Sequence, residues 1–405
     1  MPALPPSGQY LVNIRQSCRN LRVASGILIE PETIKRLLIS PAFTTSFERV
    51  SKDHGLLLPL KFASHLEELN FISILSLLNF ASGFRVPLHT QTGRGAWDSI
   101  RALCFSLFIT STTEGDLLSA KGLQTLSTAK ISELMRINLH VEKPHAKIPG
   151  VVVGELGGPL FELVTMIVDV LKETGEILEK SGYSNLGAFV VEALQEGKKV
   201  QNTSDDAAVE VILERLATAF PAFRDVYEID RQPVYCFKKA LFLVHAIHVR
   251  FGSMSPLPFP VPNTENIPVF SDNVLPSLLI HLGVINLPTN SPLSRLFPSA
   301  APQQLDSLLG PAPPQVSKIP ETVPKEGSVV TIEQSYILRA AAVDACELIV
   351  ETAHGLDHSL LQEEDKRGIS KLSLPDLDMW LWAVAKDRPD YRALERFVDQ
   401  NSIYF

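Results

Sequence analysis

The sequence is poor in cysteine: its 405 residues include four, Cys18, Cys104, Cys236 and Cys346, each far from the next. No C-x-x-C spacing occurs, so neither a zinc site nor a thioredoxin-type redox motif is indicated. Scattered thiols suit a reducing compartment. All but Cys18 sit in apolar stretches, where cysteine behaves as a small buried hydrophobe. Long apolar runs are missing too. The longest, such as residues 240–249, are interrupted by histidine and fall far short of the ~18 residues that mark a membrane helix. Residues 1–10 are polar and proline-rich with no apolar core, so no secretory signal is expected and the cytosol is the expected location. Positive charge is not in excess: 37 Lys and Arg stand against 45 Asp and Glu, a net charge of −8. Gripping a long phosphate backbone draws on a basic face. The balance points away from tRNA or DNA as a direct partner and leaves a mononucleotide acceptable. Nothing matches G-x-S-x-G, G-x-x-x-x-G-K or G-x-G-x-x-G, so neither a hydrolase elbow, a P-loop nor a dinucleotide fold finds support.

What is present is helical periodicity. Apolar residues make up 45% and charged residues 20%, a globular balance that can bury a large core. Within 66–80, Leu66, Leu69, Phe71, Ile74, Leu77 and Leu78 recur three and four apart as a broad apolar stripe. Similar patterns run over 97–110, 160–180, 207–220, 234–251, 274–282, 335–354 and 374–386. In the last of these Pro375 and Asp376 suit a first helical turn. Strand-like alternation is scarce, with short extended pieces expected near 226–235, where Tyr227, Ile229 and Val234 flank a turn. Three stretches read as loops: 140–159, 252–268 and the Pro/Ser-rich 288–327. The expectation is an all-α fold with few short strands: a single domain over 1–405, with a variable N-terminus at 1–20 and a loop insertion at 288–327.

Three local constellations carry possible chemistry. His245 and His248 lie three apart on an apolar helix, but no third ligand stands at a suitable spacing and no H-E-x-x-H occurs. A hydrogen-bonded core or pocket pair is expected there, with no metal and no cofactor. In Val269-Phe270-Ser271-Asp272-Asn273-Val274-Leu275 a loop ends and an apolar helix begins, which puts Asp272 about where an N-cap sits. Capping and a functional carboxylate are the two readings. Asp378 stands among Leu377, Met379, Trp380 and Trp382. It marks either a wet face beside a buried one or an acid lining an aromatic pocket for a purine-like ring.

In their order and spacing these strings resemble the queuosine salvage family of queuosine 5′-phosphate N-glycosylases, in a fungal-type form. The resemblance covers most of the chain, from Arg49 to Phe405. It is carried by Leu69-Asn70-Phe71 with Leu78-Asn79-Phe80, by Glu173-Thr174-Gly175, and by Phe220-Pro221-Ala222-Phe223-Arg224-Asp225-Val226. Phe237-Lys238-Lys239-Ala240, Phe270-Ser271-Asp272, His281-Leu282-Gly283, Leu377-Asp378, Leu381-Trp382 and the ending Ile403-Tyr404-Phe405 continue it. The resemblance implies an all-helical fold related to helix-rich DNA glycosylases. It implies hydrolysis of a free nucleotide, queuosine 5′-phosphate, to queuine and ribose 5-phosphate. Asp272 matches the family's catalytic aspartate, described as nucleophile or transition-state stabiliser, and Phe270 and Asp378 match substrate-contacting positions. His54 is aligned with a substrate-contacting histidine. Met379, Trp382 and Ala383 complete the expected substrate face, and Lys238, Lys239 and Arg224 are candidates for the 5′-phosphate.

The chain departs from the family's pattern at several places. Relatives commonly have tyrosine at Met379, aspartate at Ala383, Tyr-Arg at Asn273-Val274 and an acid near Ala246. Altered substrate contacts follow. A second reading is therefore a non-catalytic relative that binds a nucleoside or a partner on the same fold. A nucleic-acid glycosylase, suggested by fold analogy alone, runs against the acidic charge.

Overall fold

A computed structural model describes residues 2–51, 56, 58–145, 147–300, 302–313, 324–357 and 368–405. Helix accounts for 58% and strand for 6%, so the all-α expectation holds. The longer helices are α1 (Tyr10–Ala24), α2 (His65–Leu77), α3 (Ala96–Glu114), α4 (Pro159–Lys180), α5 (Leu186–Val200) and α6 (Ala207–Ala219). They continue with α7 (Lys238–Phe251), α8 (Val274–His281), α9 (Ile332–His354) and α10 (Leu374–Asp387). Two antiparallel hairpins supply the strands, β1 (His140–Pro144) with β2 (Val152–Leu156), and β3 (Val226–Ile229) with β4 (Gln232–Tyr235).

The helices follow the periodicity closely, and the exceptions have local causes. Helix α7 starts at Lys238 rather than 234, because Gln232–Tyr235 pair with β3 instead. The β3–β4 turn places Asp230 and Arg231 both at positive φ, the handedness that matches the twist of a two-residue hairpin. The β1–β2 hairpin occupies 140–159, where composition suggests a loop. In its two strands only Val141 and Val153 are even partly buried, so no apolar alternation announces it. Pro302–Leu309 forms a helix within the Pro/Ser-rich stretch, of which 301 and 314–323 lie outside the described residues. The Leu308 and Gly310 carbonyls accept hydrogen bonds from the Tyr391 hydroxyl (2.7 Å) and the Arg388 guanidinium (2.8 Å). Helix α1 lies largely inside the stretch read as a variable N-terminus, and it buries Tyr10, Leu11, Ile14, Cys18 and Leu21 along one face. Cys18 is thus as buried as the other three cysteines.

The chain forms two compact units. One comprises Met1–Lys61, Ala193–Asp399 and Tyr404; the other comprises Phe62–Glu192, Gln400–Ile403 and Phe405. In the first, α8, α9 and α10 pack on one another and α1 lies along α9. Helix α9 opens with a reciprocal cap. The Gln334 N–H donates to the Thr331 hydroxyl at 3.2 Å, and the Thr331 N–H donates back to the Gln334 side chain at 3.0 Å. Arg19 and Arg22 of α1 both reach the buried carboxylate of Asp344 on α9, at 2.9 and 2.7 Å.

In the second unit, α2 is buried around its whole circumference from Glu68 to Leu77, which exceeds the one-sided stripe read from its sequence. Phe71 meets Phe62 and Phe105 at centroid distances of 5.4 and 5.6 Å. Polar Asn70 is tolerated in this setting because both ends of its amide are bonded: Nδ2 donates to the Leu118 carbonyl and Oδ1 accepts the Gly187 N–H, each at 3.0 Å. Gly187 comes so close that a Cβ there would press on the Asn70 backbone at 2.8 Å. Among the described residues no single helix is long and apolar enough to cross a membrane.

Asn70→Ala leaves a buried donor and a buried acceptor without partners. The expected loss is about 2–4 kcal/mol of unfolding free energy, from about 1–3 for each orphaned group. Urea denaturation of the variant against wild type measures it.

Candidate active site

The first unit gathers residues from four elements around one buried charge pair. Asp225, just before β3, and Arg339, in the middle of α9, are 1% and 0% exposed. Arg339 donates through Nη1 and Nη2 to the two oxygens of Asp225, the planar two-pronged match that guanidinium and carboxylate geometry favours. The Tyr336 hydroxyl donates to the same carboxylate at 2.7 Å, and so does the backbone N–H of Lys238 at 3.1 Å. On its other side Arg339 Nε donates to the Ser271 carbonyl at 2.9 Å, while the Ser271 hydroxyl donates to the Arg339 carbonyl at 3.0 Å. One ion pair therefore fixes the first residue of α7 and the residue before Asp272.

Lys238 is placed with some strain. The preceding Phe237, fully buried, has φ +46° and ψ +34°, a left-handed conformation that is rare for a bulky residue. It is held there because the Asp225 carbonyl accepts the Cys236 and Phe237 N–H groups while the Asp225 carboxylate takes that of Lys238. The Lys238 ammonium is consequently buried. Burial pulls its pKa down to about 8, against the opposing charge of Asp272 and with Arg339 adding to the fall; Asp225 and Asp378 also oppose it.

Asp272 does not stand at the N-cap itself. Helix α8 starts at Val274 with Asn273 as its cap residue, and Asp272 Oδ1 accepts the Val274 N–H at 2.6 Å from one position earlier. Asn273 is spent on structure: its Nδ2 donates to the Phe397 carbonyl at 2.9 Å. Asp378, on α10, accepts the Phe270 N–H at 2.6 Å through Oδ2. Burial pushes its carboxyl up to about 8; the Phe270 N–H counteracts, the Asp272 charge reinforces and Lys238 counteracts. Phe270 packs against Phe242 and His245 of α7, with centroids 6.0 and 5.5 Å away.

The structure thus brings Asp272, Asp378, Lys238 and Phe270 together. Met379 is buried on the same helix as Asp378, and Ala383 is partly exposed. Trp382, also partly exposed, has the Lys386 ammonium 3.2 Å above its ring. His54 lies outside the described residues. Arg224 is turned to the end of α6, donating to the Ala217 and Thr218 carbonyls at 2.9 and 3.0 Å, and Lys239 is buried with its ammonium 5.9 Å from the Tyr404 ring centroid. His245 and His248 have Nδ1 engaged with Thr264 Oγ1 (3.0 Å) and the Pro262 carbonyl (2.9 Å). Among the described residues no three His, Cys, Asp or Glu side chains converge as metal ligands. Sequence reading gave no role to Asp225, Tyr336 or Arg339. Its one available signal was a lone arginine inside the apolar run Leu338 to Val343.

The arrangement offers two buried carboxyl groups and a buried ammonium, and burial raises only one of the acids, Asp378, to about 8. Environment separates the roles of the two acids. It also makes stability depend on pH. A carboxyl whose folded pKa lies above its ordinary 3.8 contributes stability below that value, and loses it as the pH rises toward about 8. Asp378→Asn removes this dependence. The variant should gain stability relative to wild type between pH 5 and pH 8, measured by chemical denaturation at both; an equal difference at the two pH values would show that Asp378 does not titrate there.

The sequence model of the queuosine salvage protein family matches residues 60–295, more than half of the chain. Lys238, Phe270 and Asp272 fall inside the match, and Arg339 and Asp378 lie beyond it. No curated protein matches. On the extent of that match, around a buried carboxylate cluster that it partly contains, the chain belongs to the queuosine salvage protein family.

Proposed function

We propose that the chain hydrolyses the N-glycosidic bond of queuosine 5′-phosphate and so releases queuine for reuse in tRNA modification. The observation that carries this reading is the Asp272 carboxylate, buried beside a second acid, Asp378, whose surroundings keep it protonated at neutral pH.

The chemistry asks for such a pair. As the bond from C1′ to the base nitrogen breaks, its electrons leave with the base, and positive charge develops on C1′ and the ring oxygen, as in glycoside hydrolysis. A carboxylate against that face stabilises the cation or captures it covalently. Water then supplies the hydroxyl on C1′, and the base departs with a proton. Queuine is a 7-deazaguanine with carbon where guanine has N7, so protonation at N7 is closed as a way to improve the leaving group. More of the barrier must be lowered at the sugar and at the departing nitrogen. Asp272 suits the first task. Asp378, neutral and held by the Phe270 N–H, suits the second as hydrogen-bond or proton donor. Lys238 stands with both acids, and its buried ammonium draws mainly on the charge of Asp272. Phe270, braced by Phe242 and His245, offers a fixed apolar face for the base.

Incubation of the purified protein with queuosine 5′-phosphate is expected to yield free queuine by mass spectrometry. Asp272→Asn keeps an acceptor for the Val274 N–H, so its melting temperature should stay close to wild type while turnover falls by about a hundredfold or more. A fully active variant would remove Asp272 from the mechanism. Met379 and Ala383, where relatives carry tyrosine and aspartate, motivate the second reading of a binding protein without catalysis. That reading requires thermal stabilisation by the nucleotide with no product formed.

A further inference from the structure

Cys18 and Cys236 are far apart in sequence, yet the fold of the first unit brings them together. Both neighbours of Cys236 rest on α1. The Tyr235 N–H donates to the Ser17 hydroxyl at 3.2 Å, and the Tyr10 ring packs on Phe237 with centroids 5.4 Å apart. The Cys18 thiol donates to the Tyr235 carbonyl, its Sγ 3.4 Å from the oxygen. That oxygen belongs to the peptide group that joins Tyr235 to Cys236. The two sulfurs are therefore neighbours, and the Cys18 and Cys236 thiols share a hydrogen bond. Both are buried, at 0% and 1% exposure.

This setting distinguishes the pair from the other two thiols. Burial raises Cys104, and burial with the charges of Asp378 and Glu347 raises Cys346. The Cys18 thiol is held well above its usual range chiefly by the neighbouring Cys236 thiol and then by burial. The segments that carry the two sulfurs are both fixed. Helix α1 is held at its start by Glu210 of α6, whose carboxylate accepts the Tyr10 and Leu11 N–H groups at 2.6 and 3.0 Å. Further along, Arg15, Arg19 and Arg22 pair with Glu347 and Asp344 of α9. The Cys236 N–H donates to the Asp225 carbonyl at 3.1 Å. A bond between the sulfurs joins segments that already face each other. It asks only that the two atoms close from hydrogen-bonding contact to about 2.0 Å.

We propose that Cys18 and Cys236 are a latent disulfide, a modification site at which a small disulfide oxidant such as oxidised glutathione ties α1 to the junction of β4 and α7. The inference does not depend on the reaction proposed above. The exchange runs in two steps. One protein thiol gives up its proton and attacks a sulfur of the oxidant; the oxidant's S–S bond breaks, and the glutathione thiolate released takes up a proton. The second protein thiol then gives up its proton and attacks the protein sulfur of the mixed disulfide, and the second glutathione leaves in the same way. Two protein sulfurs are oxidised and two glutathione sulfurs reduced. Because both thiols are buried and Cys18 is held protonated, the exchange starts from molecules in which α1 has opened, and it takes minutes to hours. The bridge then constrains the unfolded chain over a long loop, which favours the folded form.

The test incubates the full-length protein with oxidised glutathione, blocks the remaining thiols with N-ethylmaleimide and maps the peptides without reduction. The expected product is a peptide pair joined through Cys18 and Cys236, lighter by two hydrogens than the reduced peptides together, with Cys104 and Cys346 recovered as blocked thiols. The oxidised protein should melt about 3–8 °C above the reduced one, and dithiothreitol should abolish the difference. In Cys18→Ser both the cross-link and the gain disappear. Four unreacted thiols, glutathione adducts without a cross-link, a bond to Cys104 or Cys346, or a cross-link with no rise in melting temperature each overturn the proposal. Should Cys18→Ser not fold, Cys236→Ala takes its place, and the peptide map of the wild type decides the pairing on its own.

Discussion

The contact between Arg339 and Asp225 is the constraint on which the site depends. Taking two charges out of water costs several kcal/mol for each ion, and their attraction offsets this only when the remaining donors and acceptors are also bonded. That condition is met here. Asp225 accepts from Arg339, Tyr336 and the Lys238 N–H, and Arg339 also serves the Ser271 carbonyl. The arrangement defines one relative position for three pieces of chain: the start of α7, the loop entering α8 and the middle of α9. An apolar replacement of similar volume would fill the space without specifying those positions, since dispersion contacts have little direction.

The charges of the site follow from this placement. Lys238 is carried inward by a left-handed Phe237 that its hydrogen-bonded neighbours keep in place, and it meets Asp272 and Asp378 where water is scarce. Desolvation disfavours the charged form of each group. It draws the lysine down and the Asp378 carboxyl up until both titrate near 8. The outcome is a buried acid held protonated by its surroundings, brought together with Asp272 and Lys238. No element of the first unit supplies this alone: Lys238 begins α7, Asp272 precedes α8 and Asp378 lies on α10.

The departures at Met379, Ala383, Asn273 and Val274 leave this frame intact. Met379 is buried and apolar, Ala383 is partly exposed, and Asn273 braces Phe397. Asp272, Asp378, Lys238 and Phe270 are all present and lie together, so these departures fall around that group rather than within it.

The helices were legible because burial of one face at a 3.6-residue period is written in the order of residues. The β1–β2 hairpin was not, since its strands are exposed on almost every residue and alternate nothing. The family resemblance singled out Asp272, Phe270, Asp378 and Lys238 from short strings. Asp225 stood in one of those strings without a role, because its partner Arg339 is 114 positions away. By itself the sequence determined that this chain would be helical, rich in buried core and equipped with a few acids at helix starts. Tertiary structure alone decided that Asp272, Asp378 and Lys238 meet, and that burial raises the Asp378 carboxyl and lowers the lysine. Those properties depend on how much water remains around each group and on which charges lie opposite it, and neither quantity exists before distant segments have packed.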